Sequence, residues 1–288
     1  MNSHTKRHVG RIFLLTTALG MALQPLRAQT NPQKKPSFEV VSIKPSSGAP
    51  AAGAGIGGSS VRGNRIIMPN GTLRGMLQLA YQHPDGPPLL TDQIVGGPNW
   101  IDSDRYEIQG LAAGNEGTRI PPEQLALMFQ SMLEERFRLK AHIEARELPV
   151  YYLLIGKDGS KLKPSADQTP TLPPGQRPNG SVRGSIGGVI SATSRTMRAT
   201  AVPMSRLVNA LIQQTGRLTI DKTNLQGLFD FNLQFSTAGL AGTAPPIAED
   251  PQPSLFIAIQ EQLGLRLEST KASVDVLVIE SVQRPTEN

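Results

Sequence analysis

The sequence contains no cysteine, and this absence excludes disulfide bonds, thiolate metal ligands and a cysteine nucleophile. The fold must therefore be stabilised by its hydrophobic core alone. Histidine and tryptophan are also scarce, with four and one in 288 residues. The spacing His-Glu-x-x-His, which places two zinc-binding histidines on one face of a helix, does not occur. We predict neither a metal nor a cofactor.

The apolar run at 12–23 is too short to cross a bilayer comfortably. It follows a group of three basic residues and precedes a small residue, Ala28. This order is typical of a secretory signal peptide, which we assign to residues 1–28 with cleavage between Ala28 and Gln29. The prediction is a periplasmic or secreted protein with no membrane span after cleavage.

Acidic residues are absent from the predicted signal peptide, which carries four basic residues. Its removal lowers the formal net charge from +6 to +2, so the basic character of the whole chain partly reflects this segment. A nearly neutral mature chain with interspersed charges gives little reason to expect nucleic acid as a partner. The partner is left open between an envelope protein and an extracellular ligand.

Hydrophobic periodicity predicts alternating helices and strands. The clearest stretch is 216–235, where Gly216 can end a helix and apolar residues then alternate as two strands around a turn. Helices are predicted where apolar residues recur at helical spacing, at 72–82, 123–136, 203–214 and 254–263. Strands are predicted at 38–44, 61–68, 93–95, 100–109, 138–143, 150–155, 197–201, 218–220, 229–235, 265–267 and 274–282.

A segment rich in Pro, Gly and Ser at 157–196 is predicted as a linker or loop. It separates a first half, 29–156, from a second half, 197–288. The halves match at several segments: 72–81 with 203–212, 99–100 and 106–108 with 224–225 and 229–231, 137–139 with 265–267, and 152–155 with 276–279. We interpret each half as strand–helix–strand–strand–helix–strand–strand. This order predicts an α+β fold of two related halves, with antiparallel sheets and helices packed on one face.

Several ordered phrases are similar to those of one known family. They are Phe38-Glu-Val-Val-Ser-Ile-Lys-Pro-Ser46, Leu73-Arg-Gly-Met-Leu-Gln-Leu-Ala-Tyr81, Gly96-Gly-Pro-Asn-Trp-Ile-Asp-Ser-Asp-Arg-Tyr106, Arg146-Glu-Leu-Pro-Val-Tyr151 and Gln262-Leu-Gly-Leu265. Over nearly all of 38–288 the chain resembles the exported soil-associated protein family of unknown function. The resemblance implies no activity or catalytic residue. Fusion of a similar domain to membrane metallopeptidases of the antibiotic-sensor type implies sensing or binding outside the membrane.

Candidate catalytic residues follow the single tryptophan, Trp100. Asp102, Asp104 and Glu107 form an acidic group, and paired carboxylates beside an aromatic ring are typical of glycoside hydrolysis, where one acts as acid and the other as base or nucleophile. Asp221 is a further candidate. The alternative interpretation is a turn in which Asp102 accepts hydrogen bonds from its own backbone, followed by an ordinary strand.

Candidate binding residues are Trp100, Tyr106, Asp221 and Lys222. The aromatic rings could form a platform, and the Asp-Lys pair before a turn could hold a charged ligand. The alternatives are core or rim positions for the rings and a solvated turn for the pair.

Two further patterns predict no function. Gly53–Gly58 fits the dinucleotide-binding spacing but lacks the preceding strand and following helix that such a site requires, so we predict a loop. His83 and His142, the histidines that remain after signal removal, are predicted to be structural or solvent-facing.

The favoured hypothesis is an exported, non-enzymatic protein that binds a ligand or partner, because no nucleophile and base occur together in a recognisable motif. The alternative is a hydrolase that acts on envelope or extracellular polymers through its Asp and Glu carboxylates. A third hypothesis is an accessory subunit of an envelope sensor.

Overall fold

The computed structural model describes residues 35–46, 59–82, 87, 89–114, 120–169, 183–191, 193–237 and 252–285. The predicted signal peptide and its cleavage site, the glycine-rich segment Gly53–Gly58 and His83 lie outside the described residues. Lys35–Asn288 form one compact unit. In the described part of the chain, no helix combines the length and the apolar character needed to cross a membrane.

An antiparallel N-terminal sheet has the strand order β1-β5-β3-β2. Its strands are β1 (Phe38–Pro45), β2 (Ser60–Arg62), β3 (Arg65–Gly71) and β5 (Tyr106–Ala112). The single strand predicted at 61–68 is wrong, because Gly63 adopts a positive φ of 57° and turns the chain into a β2–β3 hairpin. The predicted strand at 100–109 also begins late, since 100–103 are helical.

Three helices accompany this sheet, α1 (Leu73–Ala80), α2 (Trp100–Ser103) and α3 (Pro122–Arg136). The Thr72 side chain caps α1 by accepting a hydrogen bond from the Gly75 N–H at 3.1 Å. Pro122 suits the first turn of α3, where its missing N–H would have no partner in the helix. Gln130 in the middle of α3 donates to the Ala80 carbonyl at 2.7 Å and so joins α3 to the C-terminal end of α1.

The central sheet is built on two long antiparallel strands, β6 (Lys140–Ile155) and β12 (Leu265–Ser281). Short strands extend it at both edges: β4 (Ile94–Gly96) runs parallel to β12, and β10 (Thr219–Asp221) runs parallel to β6. The prediction of two separate strands in place of each long one is wrong. Ala145, Glu147 and Pro149 are exposed, so the middle of the ladder tolerates the residues that suggested a break.

The C-terminal sheet is antiparallel, with the strand order β7-β11-β9-β8. Its strands are β7 (Lys163–Pro164), β8 (Ser185–Ile190), β9 (Ser194–Pro203) and β11 (Leu228–Ser236). Three of these fall wholly or partly in 157–196, so the prediction of a linker or loop throughout that segment is wrong. At the edge of the sheet β8 is largely exposed, so it lacks the alternation of a half-buried strand.

Helix α4 (Met204–Thr215) and helix α5 (Leu255–Ala258), which continues as a π turn at Ile259–Leu263, belong to the second half. Gly216 ends α4 in the left-handed conformation with φ 65°, as the sequence predicted. The predicted helices at 123–136 and 203–214 are both confirmed. The order strand–helix–strand–strand–helix–strand occurs from β9 to β12, whereas from β3 to β6 helix α2 separates the two middle strands β4 and β5. The relation between the two halves stays a prediction.

Two large hydrophobic cores and a smaller third cluster hold the described part of the fold together, and the long strands contribute to all three. Leu277 and Ile279 of β12 belong to the N-terminal core, with Phe129, Phe137 and other residues of the first half. Leu153 of β6 and Leu265 of β12 belong to the C-terminal core. The short helices thus bury their apolar faces against sheets, as isolated helices of this length require. The α+β prediction is confirmed.

Candidate functional site

Asp102 is held by an arginine of α1. The guanidinium of Arg74 donates from Nε to Oδ1 and from Nη2 to Oδ2, the second bond at 3.0 Å. The same guanidinium donates from Nη1 to the carbonyls of Thr91 (3.4 Å) and Ile94 (3.2 Å). The hydrogen bond from Arg74 lowers the pKa of Asp102 below its ordinary value. Asp102 is therefore an ionised structural anchor and has no proton to give as a general acid.

This ion pair predicts a small acid-sensitive contribution to stability. Because the pKa of Asp102 is lower in the folded chain than its ordinary 3.8, the contribution is present above that value and is lost as pH falls through the folded pKa. The Asp102 side chain is 52% exposed, so Asp102→Asn should lower the free energy of unfolding at pH 7 by at most about 1 kcal/mol.

Urea unfolding of both proteins at pH 7 and at about pH 2.5 checks this prediction. The two proteins should differ at pH 7 and converge at the lower pH. An undiminished difference in acid would contradict the assigned role of the carboxylate.

Asp104 contacts a different arginine. Arg284 Nε donates to Asp104 Oδ2 at 2.7 Å, and the Arg284 guanidinium carbon lies 5.0 Å from the centroid of the Trp100 ring. The end of the described chain is thereby attached to the segment that connects α2 to β5. Trp100 itself is partly buried and packs against the N-terminal core.

Tyr106 and Glu107 are neighbours on β5 and point to opposite faces of the sheet. Tyr106 is 5% exposed, and its ring packs edge-on against Phe137 with the centroids 5.3 Å apart. Burial, followed by the nearby Asp104 charge, raises the pKa of Tyr106, so its hydroxyl stays neutral at physiological pH. Glu107 accepts a hydrogen bond from Gln109 at 2.8 Å and lies opposite Lys44 in the ladder.

A surface cavity of about 410 Å³ lies beside these residues, and we call it the Arg284 cavity. It is lined by Ile43, Pro45, Ser46, Asp104, Arg105, Tyr106, Arg284 and Pro285. Of the predicted site residues, only Asp104 and Tyr106 line it. Sequence reasoning missed Arg105 and also Arg284, which pairs with Asp104 across 180 positions. No local pattern signals a contact of that range.

Charge in the Arg284 cavity is unbalanced. Arg284 is paired with Asp104, whereas within the described ranges no carboxylate lies at ion-pair distance from Arg105. Two arginines and one acidic residue thus line the cavity. This arrangement favours a ligand with a negatively charged group, because a guanidinium offers five N–H donors.

Asp221 and Lys222 lie elsewhere in the fold. Asp221 Oδ1 accepts hydrogen bonds from the N–H and the hydroxyl of Thr223, at 2.8 and 2.7 Å, which is the geometry of a turn-forming aspartate. Lys222 Nζ lies 5.4 Å from the centroid of the Tyr152 ring. These two residues occupy the β10 edge of the central sheet.

The central sheet keeps the two sets of predicted residues apart. Asp221 pairs with Leu153 of β6, whereas Gly96, just before the Trp100 segment, joins the ladder level with Ala141. The twelve positions between Leu153 and Ala141 correspond to roughly 40 Å of strand. The predicted residues therefore do not line one common cleft.

His142 is exposed and bonds through Nδ1 to Glu280 at 2.7 Å. No group of three or more His, Asp or Glu side chains in the described segments is arranged to hold a metal ion.

Comparison with known proteins gives one match. A family model described as a protein of unknown function, DUF3738, matches residues 74–282, from the start of α1 to the end of β12. No curated protein and no solved structure matches the chain.

Proposed function

The chain belongs to the DUF3738 family of proteins of unknown function, and from its own geometry we propose an exported, non-enzymatic module that binds a ligand or partner. The module acts in the periplasm or outside the cell, after removal of residues 1–28. The ligand presents an anionic group attached to an apolar body and enters the Arg284 cavity.

The charge imbalance of the Arg284 cavity carries this proposal. Arg105 and Arg284 line the cavity with one carboxylate, Asp104, which already accepts a hydrogen bond from Arg284. Pro45 is exposed and supplies apolar surface, whereas Ile43 and Tyr106, which are 1% and 5% exposed, contribute little. A volume of about 410 Å³ falls in the range of small-molecule sites. An anionic group can pair with Arg105 while its apolar body covers Pro45.

The positions of the carboxylates support binding over hydrolysis. Glycoside hydrolysis requires two carboxyl groups that face each other across the scissile bond, roughly 5–10 Å apart. Asp102 and Asp104 are each occupied by a different arginine, and Glu107 points to the other face of β5. Asp221 is distant. No two of these four carboxyl groups therefore form a facing pair of general acid and base.

Benzoate and benzamide are a matched pair of probes, because they share an apolar ring and differ in charge. We expect benzoate to bind the protein at millimolar concentration and benzamide to bind at least tenfold more weakly. Arg105→Gln should weaken benzoate binding about tenfold or more, since a charge-assisted hydrogen bond contributes about 1.5–3 kcal/mol. Arg62→Gln, at an exposed arginine of β2, is the control and should change nothing. Isothermal titration calorimetry gives both affinities.

Two results would overturn the proposal. The first is equal binding of benzoate by the Arg105→Gln variant and the unchanged protein. The second is turnover of a glycan, ester or peptide substrate that Asp102→Asn or Asp104→Asn abolishes without loss of folding.

A further inference from the structure

A second cavity, separate from the Arg284 cavity, lies over the middle of the β6–β12 ladder. Two segments reach the ladder from opposite edges: residues 90–93, which lead into β4, and residues 215–218, which lead into β10. Between them is a space of about 440 Å³, which we call the central cavity. Its lining includes Leu90, Asp92, Leu148, Tyr151, Arg217 and Leu218.

Arg217 is fixed in position without a charged partner. Its guanidinium carbon lies 4.8 Å from the centroid of the Tyr151 ring, and Nη1 donates to Ser269 Oγ at 2.9 Å. Across the described residues, no carboxylate comes within ion-pair distance of this guanidinium. Stacking on an aromatic ring and one neutral hydrogen bond hold the group still, so binding an anion there costs little side-chain entropy.

Asp92 brings the opposite charge to the same cavity. It lies in a short 3₁₀ turn at Thr91–Gln93 and is exposed. The buried Gln93 holds this turn, because its side chain accepts from the Leu90 N–H at 3.1 Å and donates to the Asp275 carbonyl at 2.9 Å. No lysine or arginine in the described part of the chain lies at ion-pair distance from Asp92.

The two charges share one cavity but do not neutralise each other. A carboxylate and a guanidinium that met directly would form an ion pair, and here the N–O distance exceeds 4.0 Å. The C-terminal end of α4, with Thr215 and Gly216 on the cavity wall, places the negative end of a helix dipole on the Arg217 side of the cavity. Leu90 and Leu218, from the two opposite segments, and Leu148 of β6 supply apolar surface.

We propose that the central cavity binds a zwitterion of the amino acid or short peptide class. The ligand carboxylate pairs with Arg217, the ligand ammonium pairs with Asp92, and an apolar side chain packs on the leucines. A ligand with only one charge satisfies one side and leaves the other without a partner. This assignment goes beyond the proposed function, since it concerns a different cavity and different residues.

The dipeptide alanyl-phenylalanine and two of its derivatives test each charge separately. The N-acetylated dipeptide lacks the ammonium, and the C-terminal amide lacks the carboxylate. We expect the free dipeptide to bind at least tenfold more tightly than either derivative. Arg217→Gln should weaken the free and acetylated forms about tenfold and leave the amide unchanged. Asp92→Asn should weaken the free and amidated forms and leave the acetylated form unchanged.

Matched controls are Arg206→Gln on α4 and Asp158→Asn, both at exposed positions outside the cavity. Neither should alter any of the three affinities, and thermal unfolding should show that all four variants remain folded. Absence of dipeptide binding at millimolar concentration would overturn the proposal, as would variants that weaken all three compounds equally. Arg105→Gln should leave dipeptide affinity unchanged, so failure at one cavity is distinguishable from failure at the other.

Discussion

Replacing Phe129 with alanine is expected to lower the free energy of unfolding by about 3–5 kcal/mol. Phe129 is 0% exposed on α3, and its ring packs edge-on against Phe38 with the centroids 5.6 Å apart. The substitution removes the buried ring and leaves a cavity between the helix and β1, because close-packed neighbours relax only partly. Urea unfolding followed by circular dichroism measures the loss.

Phe256→Ala provides the comparison for the same chemical change. Phe256 is 42% exposed on α5 and makes one aromatic contact, with Tyr151 at 5.5 Å between centroids. Its replacement should cost no more than about 1.5 kcal/mol, since much of the ring already contacts water. Similar losses at positions 129 and 256 would contradict the assignment of Phe129 to a packed core.

Gly264→Ala is expected to cost about 3 kcal/mol or more, although it adds a single methyl group. Gly264 ends the π turn after α5 with a φ of 65°, a conformation that costs other residues about 1–2 kcal/mol. A Cβ at this position would also lie 2.1 Å from the Gly159 carbonyl oxygen and 2.7 Å from the Lys161 nitrogen. Both atoms belong to the backbone, so the 156–161 segment must shift to admit the methyl group.

Gly159→Ala separates the clash from the conformational strain. Gly159 also has a positive φ, 80°, but a Cβ there would meet no atom within 4 Å. Its replacement should therefore cost only the strain, about 1–2 kcal/mol. Thermal and urea unfolding of the two variants measure the difference between their free energies of unfolding. A Gly159→Ala variant as unstable as Gly264→Ala would show that the close approach of the two segments is not what requires glycine at 264.

The parts of the fold that the sequence predicts are those that local periodicity determines. Helices α3 and α4 bury one face each, so their apolar residues recur at helical spacing, and Gly216 marks the end of α4. The long strands were predicted in pieces, because their middle sections are exposed or half-buried and carry charged residues, and that of β6 also carries Pro149. The short strands at β4 and β10 were predicted, but no local pattern shows that they pair in parallel with β12 and β6.

The candidate site was less predictable than the fold. The pairing of Asp104 with Arg284 and of Asp102 with Arg74 depends on tertiary contacts, and nothing near either aspartate identifies its partner. An aspartate that pairs with an arginine and a catalytic aspartate are the same residue type and can stand at similar distances along the sequence from other acidic residues, so the sequence does not distinguish them. The turn formed by Asp221 and Thr223, in contrast, is local, and the sequence offered it as one interpretation.

The position at which benzoate binds tests the central claim most directly. In a titration of ¹⁵N-labelled protein followed by NMR, the amide signals of Ser46, Arg105, Tyr106 and Arg284 should shift together and saturate. Signals of the central cavity, such as those of Tyr151 and Arg217, should stay unchanged. Shifts that avoid the first group, or no shifts at saturating benzoate, would contradict the account that the Arg284 cavity is a binding site for an anionic group.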